Sequence, residues 1–338
     1  MKKIKIVLAT LLASLTLFSS ACLGGSDSVS YEIFQGSHWL KSAEATGVEQ
    51  VNETCTYAVV FEANVPEDKN AHFLTATLTE GSLVTTLTKD AYEGTACYKF
   101  TTSLVVKGTY FYNDMQATID DEITSEAYFL GINNKLVPLY SKKYNRTTVP
   151  VISSLISNPK FGTMEYQTTT VYNLEDKTAT VTVTALDASS EGFKVNNSTK
   201  TYSNVTSNVF FDNETLLFAP RAAGLSDKGF SSSFYTIDAV SQKVLNIKMT
   251  VSSSNPTSEI EFAKNGVEGG AVLDGITIQK LPVYNLQLAI NDTFSGSALE
   301  LFFATDTKNH YRRLVQYKQQ LAYSAGTFVF TLANASTN

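Results

Sequence analysis

The sequence CYKFTTSLVVKGTYFY at residues 97–112 is rich in Thr, Val, Tyr and Phe, and its polar and apolar residues tend to alternate. Successive side chains of a β-strand point to opposite faces, so a period of two is typical of a strand with one buried face. The same pattern occurs at residues 54–63, 73–79 and 83–88, and Gly81 predicts a hairpin turn (EGS) between the last two. The sequence therefore predicts long antiparallel strands joined by short turns.

The alternation continues to the end of the chain, and no segment forms a convincing long helix. Further strands are predicted at residues 117–130, 136–144, 164–172, 178–185, 234–240, 243–251, 276–281, 283–290, 299–304, 312–322 and 327–333. Hairpin loops are predicted around residues 173–177 and 241–242. No internal repeat or Pro-rich linker divides the chain, so we expect a single β domain at residues 51–335.

One segment is a helix candidate, DNETLLFAPRAAG at residues 212–224. Asp212 is suited to cap its start and Gly224 to end it. Pro220 lacks the backbone donor that a helix interior needs, so we expect two short turns instead of one helix. Long strands in sequence-neighbour order favour a meander, which must close into a barrel or curve around a cover. We therefore predict an all-β fold: a large curved antiparallel sheet, or open half-barrel, with a short helical segment near residues 213–223 covering its concave face.

The first 21 residues have the features of a secretory signal. Three lysines precede an uncharged apolar run at residues 6–18, and small residues lead to Cys22. That run is shorter than the ~20 residues that usually span a membrane. Cleavage after Ala21 leaves Cys22 first, which resembles a bacterial lipobox, although Ser19 stands where Leu is usual. We predict a lipoprotein signal peptide at residues 1–21 and lipidation of Cys22; the alternative is a soluble secreted protein with a free Cys22.

The residues after the signal predict an acidic domain on a flexible tether. Residues 22–50 are predicted to form the lipidated cysteine and a flexible tether, because small and polar residues follow Cys22. Loss of the leader removes three lysines and no acid, which changes the formal charge from −6 to −9. Anionic lipid headgroups do not attract such a body, so we expect the lipid anchor alone to hold it at a membrane. The acidic balance also lacks the basic footprint of a nucleic-acid-binding protein.

The cysteine count favours one disulfide bond. If Cys22 is lipidated, Cys55 and Cys97 remain. Two cysteines in an oxidising compartment can pair, so we predict a bond between them on neighbouring strands. Buried free thiols are the alternative.

The sequence contains no recognisable catalytic or metal-binding motif. His38, His72 and His310 are isolated, whereas metal sites need clustered ligands. The serine-hydrolase motif G-x-S-x-G is absent. Residues 120–122 (DDE) lie in a strand pattern, where a solvated face is the simplest explanation. We predict no catalytic residue, no metal and no cofactor.

Three long segments carry a resemblance to a known family. They are residues 212–226 (DNETLLFAPRAAGLS), residues 234–251 (FYTIDAVSQKVLNIKMTV) and residues 300–335, which begin ELFFATDTKNHYRRLVQYKQQ. Together with the strand order, they are similar to an uncharacterised family of secreted bacterial β proteins that shares the half-barrel of the lipoprotein-localisation carriers. The resemblance implies a curved sheet whose apolar concave face can hold acyl chains.

Two non-enzymatic functions remain open at this point, beside a hydrolase, which would need two carboxylates or a Ser/His pair converging in a cleft. The first is a non-enzymatic, membrane-anchored lipoprotein of the bacterial cell envelope that binds a lipid or other apolar ligand in the concave face. The alternative is a surface lipoprotein that binds glycan through exposed aromatics. Aromatic clusters occur at residues 110–112 and 128–129 and at Tyr140 with Tyr144; in a sheet such residues are first of all core and cross-strand pairs. Exposed, coplanar aromatics on a convex face or at loop tips would favour the glycan alternative.

Overall fold

The structure is a computed structural model that describes residues 52–67, 72–132, 135–152, 159–186, 188–205, 209–225, 228–255, 257–263, 267–268, 271–272, 278–290, 299–305, 312–321 and 325–337. The predicted signal peptide, Cys22, the tether, His38 and His310 lie outside these residues. Within them, no helix is both long and apolar enough to cross a membrane.

The described residues are mostly β-strand. In chain order the strands are β1 (Asn52–Ala63), β2 (Thr75–Tyr92), β3 (Thr95–Tyr112), β4 (Met115–Ile132), β5 (Lys135–Val151), β6 (Lys160–Asn173), β7 (Thr178–Ala185), β8 (Ser198–Ser203), β9 (Phe230–Asp238), β10 (Lys243–Val251), β11 (Thr257–Ala263), β12 (Val267–Glu268), β13 (Ala271–Val272), β14 (Ile278–Ile290), β15 (Leu299–Ala304), β16 (Leu314–Gln320) and β17 (Gly326–Thr337). Two short 3-10 turns, Asn213–Thr215 and Ala219–Ala222, lie between β8 and β9.

One large open antiparallel sheet dominates the described part of the chain. Its strand order is β8-β7-β6-β5-β4-β3-β2-β1-β17-β16-β15-β14-β10-β9, β11 also pairs with β14, and β12 and β13 pair separately. From β1 to β8 each strand pairs with its sequence neighbour, as a meander does. The C-terminal strand β17 pairs with β1 and joins the second half of the chain to the first. The all-β prediction is confirmed.

The hairpins predicted around residues 173–177 and 241–242 are present, but the one at Gly81 is not. β2 runs straight through Gly81 with a register shift between Leu78 and Glu80. The reason for the glycine is a close approach: a Cβ on Gly81 would lie 2.9 Å from the Cβ of Val59. Glycine inside a strand often marks a bulge of this kind.

Strand periodicity separates a core face from an outer face. In β3, Phe100, Leu104 and Val106 are at most 5% exposed, and all have even numbers. In β4 the buried apolar residues are odd-numbered and include Ile123 and Phe129. The odd-numbered positions of β3 and the even-numbered positions of β4 therefore form the opposite, convex face of the sheet.

The chain itself covers the concave face. Residues 209–225, which we call the inner segment, contain both 3-10 turns, and Pro220 is the second residue of the second turn. Asp212 caps the first turn by accepting a hydrogen bond from the Glu214 amide at 2.8 Å. The Phe218 ring lies 5.4 Å from that of Phe100 and 5.7 Å from that of Phe129. The prediction of two short turns over the concave face is confirmed.

The inner segment also runs along β9, the last strand in the sheet order. The Phe211 amide donates to the Tyr235 carbonyl at 3.0 Å, and the Tyr235 amide donates to the Val209 carbonyl at 2.8 Å. Lys200 of β8 reaches the Gln242 carbonyl at the β9–β10 turn, 2.9 Å away. The two ends of the strand order therefore come close together, with the inner segment bonded to one of them.

The predicted disulfide bond is wrong: Cys55 and Cys97 are free, buried thiols. Cys55 lies opposite Thr85 and Cys97 opposite Asp90, so β2 stands between them and separates them by five residues, roughly 17 Å along the strand. Bridged cysteines have Cα atoms within about 7 Å. Cys55 faces the core, whereas Cys97, three residues before Phe100, faces outward. The prediction rested on the even number of cysteines that remain after Cys22. The pairing of β1, β2 and β3 excludes the bond, because it places the two residues too far apart.

Candidate functional site

Buried charges fasten the inner segment to the sheet. Arg221 donates to both carboxylate oxygens of Glu53, at 2.9 and 3.1 Å, and Arg313 of the chain before β16 donates to the same carboxylate at 3.2 Å. Burial alone would raise the pKa of Glu53, but the two guanidinium groups more than offset it and lower this pKa to about 2. All three residues are at most 9% exposed. They form a structural ion network.

A second polar cluster holds the first 3-10 turn. Ser141 and Tyr172 donate to the Asp212 carboxylate at 2.7 and 2.5 Å. The Lys143 ammonium lies 3.9 Å from the carboxylate of Glu214. Burial raises the pKa of Glu214 to about 7, against the opposing effect of Lys143. None of these side chains is more than 8% exposed, so the cluster serves the packing of the turn.

A cavity of about 10 Å³ beside Glu53 is lined by side chains from both layers, among them Tyr57, Leu217 and Arg221. That volume is about enough for one water molecule. It is far below the several hundred Å³ that small-molecule pockets occupy.

The convex face carries a larger opening. An open depression of about 450 Å³ lies over β3 to β6; we call it the polar depression. The outward-facing residues that line it are Thr101, Ser103, Thr124, Glu126, Lys142, Tyr144 and Gln167. Strand register brings them together, since Thr101 faces Glu126, Glu126 faces Lys142, and Tyr144 faces Gln167. Its volume falls within the range of small-molecule sites.

Three half-buried tyrosines border the polar depression. Tyr92, Tyr128 and Tyr140, the tyrosine cluster, have ring centroids 5.1 to 6.0 Å apart, and the rings of Tyr92 and Tyr140 are tilted by only 20°. Tyr128 and Tyr140 face each other across β4 and β5, two residues from Glu126 and Lys142 on the same face. Aromatic faces and hydrogen-bonding groups are therefore contiguous on the outer surface.

Some polar groups of the depression are already paired and others are not. The Glu126 carboxylate binds the Lys99 ammonium at 2.8 Å, and the Tyr144 hydroxyl donates to Glu165 at 2.7 Å. Burial and, to a smaller extent, the hydrogen bond to Glu165 raise the pKa of Tyr144 to about 12, so its hydroxyl is a donor at neutral pH. In the part of the chain that the structure describes, Lys142 and Gln167 have no side-chain partner.

The structure divides the residues that the sequence singled out. Tyr110 is fully buried and stacks on Phe161, so it belongs to the core, while Phe111 is 39% exposed. Tyr128, Tyr140 and Tyr144 lie on the convex face. His72 packs near Tyr112, and no group of three His, Cys, Asp or Glu side chains among the described residues is arranged to hold a metal.

The acidic run at residues 120–122 is split between the two faces. Asp120 and Glu122 lie near Arg146 outside, at 2.8 and 3.8 Å. Asp121 points inward, is 1% exposed and accepts a bond from the Thr148 amide at 2.6 Å. Burial, partly offset by Thr148, raises the pKa of Asp121 to about 7. The expected solvated face therefore holds for two of the three acids.

Sequence reasoning missed Tyr92, Lys142 and Gln167. Alternation within each strand could have assigned them to the outer face. Their proximity depends on the register of four strands, which the sequence pattern does not contain.

The fold has neighbours among solved structures, one of which is described here. No family model matches the chain, and neither does any curated protein sequence. Among solved structures, the fold is similar to the crystal structure of a beta-barrel-like protein of Domain of Unknown Function DUF1849 from Brucella abortus. The alignment has a TM-score of 0.44 and 11% sequence identity, and it covers 85% of this chain and 98% of the neighbour.

Proposed function

We propose that the protein is a non-enzymatic, membrane-anchored lipoprotein of the bacterial cell envelope that binds carbohydrate on the convex face of its sheet. The observation that carries this proposal is the tyrosine cluster lying next to the polar depression. The anchor part of the proposal rests on the leader sequence and on Cys22.

The chemistry of the outer site suits a sugar ring. One face of a pyranose presents C–H groups that pack on an aromatic ring, and its edge presents hydroxyls that both donate and accept. Tyr128 and Tyr140 supply aromatic rings, and Gln167 and Thr124 supply amide and hydroxyl groups. A volume of about 450 Å³ accommodates one or two sugar units.

The test measures binding of the full-length protein, purified in detergent, to a panel of soluble polysaccharides by affinity electrophoresis. Tyr140→Ala should weaken binding of any retained ligand about tenfold, because it removes a platform ring. Phe111→Ala is the matched control: it removes an exposed aromatic of the same face, roughly 40 Å along β3 from the level of the tyrosine cluster. Silence across the panel, or equal losses in both variants, would reject the proposal.

A second candidate keeps the ligand on the concave side, as the half-barrel resemblance of the sequence implies. Its supporting observation is the apolar character of the inner segment, which buries Leu216, Leu217 and Phe218 against the sheet. An acyl chain would have to replace these side chains. Native mass spectrometry after purification from the host tests it: co-purified acyl species support this candidate, and a clean apo mass opposes it.

A further inference from the structure

We propose that the outer site selects acidic saccharides, with the ammonium group of Lys142 as the group that recognises the negative charge. This inference deepens the proposed function and rests on it. Lys142 is exposed in β5, lines the polar depression, and lies two residues from Tyr140 on the same face.

The other positively charged side chains around the depression already form ion pairs. Lys99 is bound to Glu126 at 2.8 Å, and its ammonium also lies 4.9 Å from the centre of the Tyr128 ring. Arg146 is bound to Asp120 at 2.8 Å. Lys142 faces Glu126 in the strand register, but Lys99 is the cation that this carboxylate binds.

The acid on the neighbouring strand does not neutralise Lys142 either. Glu165 is 8% exposed, and its carboxylate accepts a hydrogen bond from the Tyr144 hydroxyl. Its backbone N–H donates to the hydroxyl of Ser189. Among the described residues, the side chain of Lys142 takes part in no ion pair or hydrogen bond. The lining of the depression therefore offers one unneutralised positive charge.

Charge and shape together define the ligand class. The tyrosine cluster and the unpartnered amide of Gln167 fit a ring with hydroxyls, and the free ammonium adds a site for an anionic substituent on that ring. An ammonium is a compact positive charge that donates hydrogen bonds to carboxylate and sulfate alike. The ligand is thus a saccharide with an anionic group, and separate probes can distinguish a uronate from a sulfated sugar.

The experiment compares ligands that differ only in charge. Polygalacturonate and its fully methyl-esterified form have the same sugar units, and the ester removes the negative charge. The full-length protein in detergent should bind polygalacturonate about tenfold more tightly than the ester, and added salt should weaken only the first interaction. Dextran sulfate against dextran repeats the comparison for a sulfated sugar.

Variants assign the selectivity to Lys142. Lys142→Gln should remove the charge selectivity, so that the ratio of the affinities for the acidic and the neutral polymer falls from about ten to about one. Lys248→Gln is the matched control, since Lys248 is an exposed lysine on the outer side of the distant strand β10. It should change neither interaction.

The outcomes separate this inference from the proposed function. Equal binding of acidic and neutral polymers that still requires Tyr140 would overturn the inference and leave carbohydrate binding intact. Charge selectivity that survives Lys142→Gln would also overturn it. If neither acidic nor neutral polymers bind, both the inference and the proposed function fail.

Discussion

Asp120 and Asp121 are chain neighbours whose side chains lie on opposite faces of the sheet and in different environments. Asp120 is half exposed and bound to Arg146 on the convex face. Asp121 is buried on the concave side, with a pKa raised to about 7 by burial. The concave side is filled by the chain itself and sealed with ion pairs, whereas the convex side presents unpaired groups around an opening. The buried side therefore contributes packing and ion pairs that stabilise the fold, and the convex side is where we propose that the ligand binds.

Removal of a buried charge on the concave side should have the largest effect. Glu53→Gln leaves Arg221 and Arg313 without their carboxylate, and loss of one partner of a buried pair costs about 4 kcal/mol. The free energy of unfolding, measured by urea denaturation, should fall by that amount. Glu80→Gln, which breaks the exposed pair with Lys107, is the control and should leave stability nearly unchanged. Similar losses in both variants would contradict the contrast.

Truncation of an inner-segment side chain comes next. Phe218→Ala should cost about 3 kcal/mol in the same measurement, because it leaves a cavity between Phe100 and Phe129. Phe111→Ala removes the same atoms from the outer face and should have little effect. If Phe218→Ala is as stable as the wild type, the inner segment is not packed as described.

The two adjacent aspartates allow a test by pH. The folded-state pKa of Asp121 is raised from 3.8 to about 7, so its protonated form is favoured on folding. The associated stability is present below pH 4 and is lost as pH rises towards 7; we expect a loss of about 2 kcal/mol, within the ceiling of about 4 kcal/mol that 1.36 kcal/mol per pKa unit sets.

Asp121→Asn keeps an acceptor for the Thr148 amide and cannot ionise, so this part of the pH dependence should disappear. Asp120→Asn should leave the pH profile of wild-type stability in place. Identical profiles for the wild type and Asp121→Asn would show that Asp121 is not buried.

The smallest effect concerns a single polar group of the outer site. Gln167→Ala should weaken saccharide binding about threefold without changing stability, because one neutral hydrogen bond contributes about 0.5–1 kcal/mol. Gln287, exposed on β14, is the matched position, and Gln287→Ala should bind as the wild type does. Titration calorimetry distinguishes the two. A loss with Gln287→Ala equal to that with Gln167→Ala would place the ligand elsewhere.

Much of the fold follows from local pattern. Alternation predicted β3 almost to the residue, and Pro220 predicted the division of the inner segment into two turns. The failures share one cause, which is that pairing between distant strands is not written in a local pattern. Gly81 resembles a turn residue until Val59 of β1 is seen against it, and Cys55 and Cys97 resemble a pair until β2 is placed between them.

The outer site could not be predicted from the sequence, for the same reason. Each strand contributes one or two ordinary surface residues, such as Gln167, and only the register of β3 to β6 turns them into a lined depression. The sequence marks Tyr128 and Tyr140 as candidates. It does not distinguish them from core aromatics such as Tyr110, because that distinction depends on how deeply each ring is buried.

Hydroxyl-radical footprinting of the full-length protein, with and without a saturating saccharide found by the binding panel, tests the two-face account most directly. Oxidation should occur at Tyr92, Tyr128 and Tyr140 in the free protein and decrease when the saccharide is bound. Leu217 and Phe218 should remain unoxidised in both states, because they are buried beneath the sheet. Unchanged oxidation of the three tyrosines, or a ligand-dependent change at Leu217 and Phe218, would contradict the account.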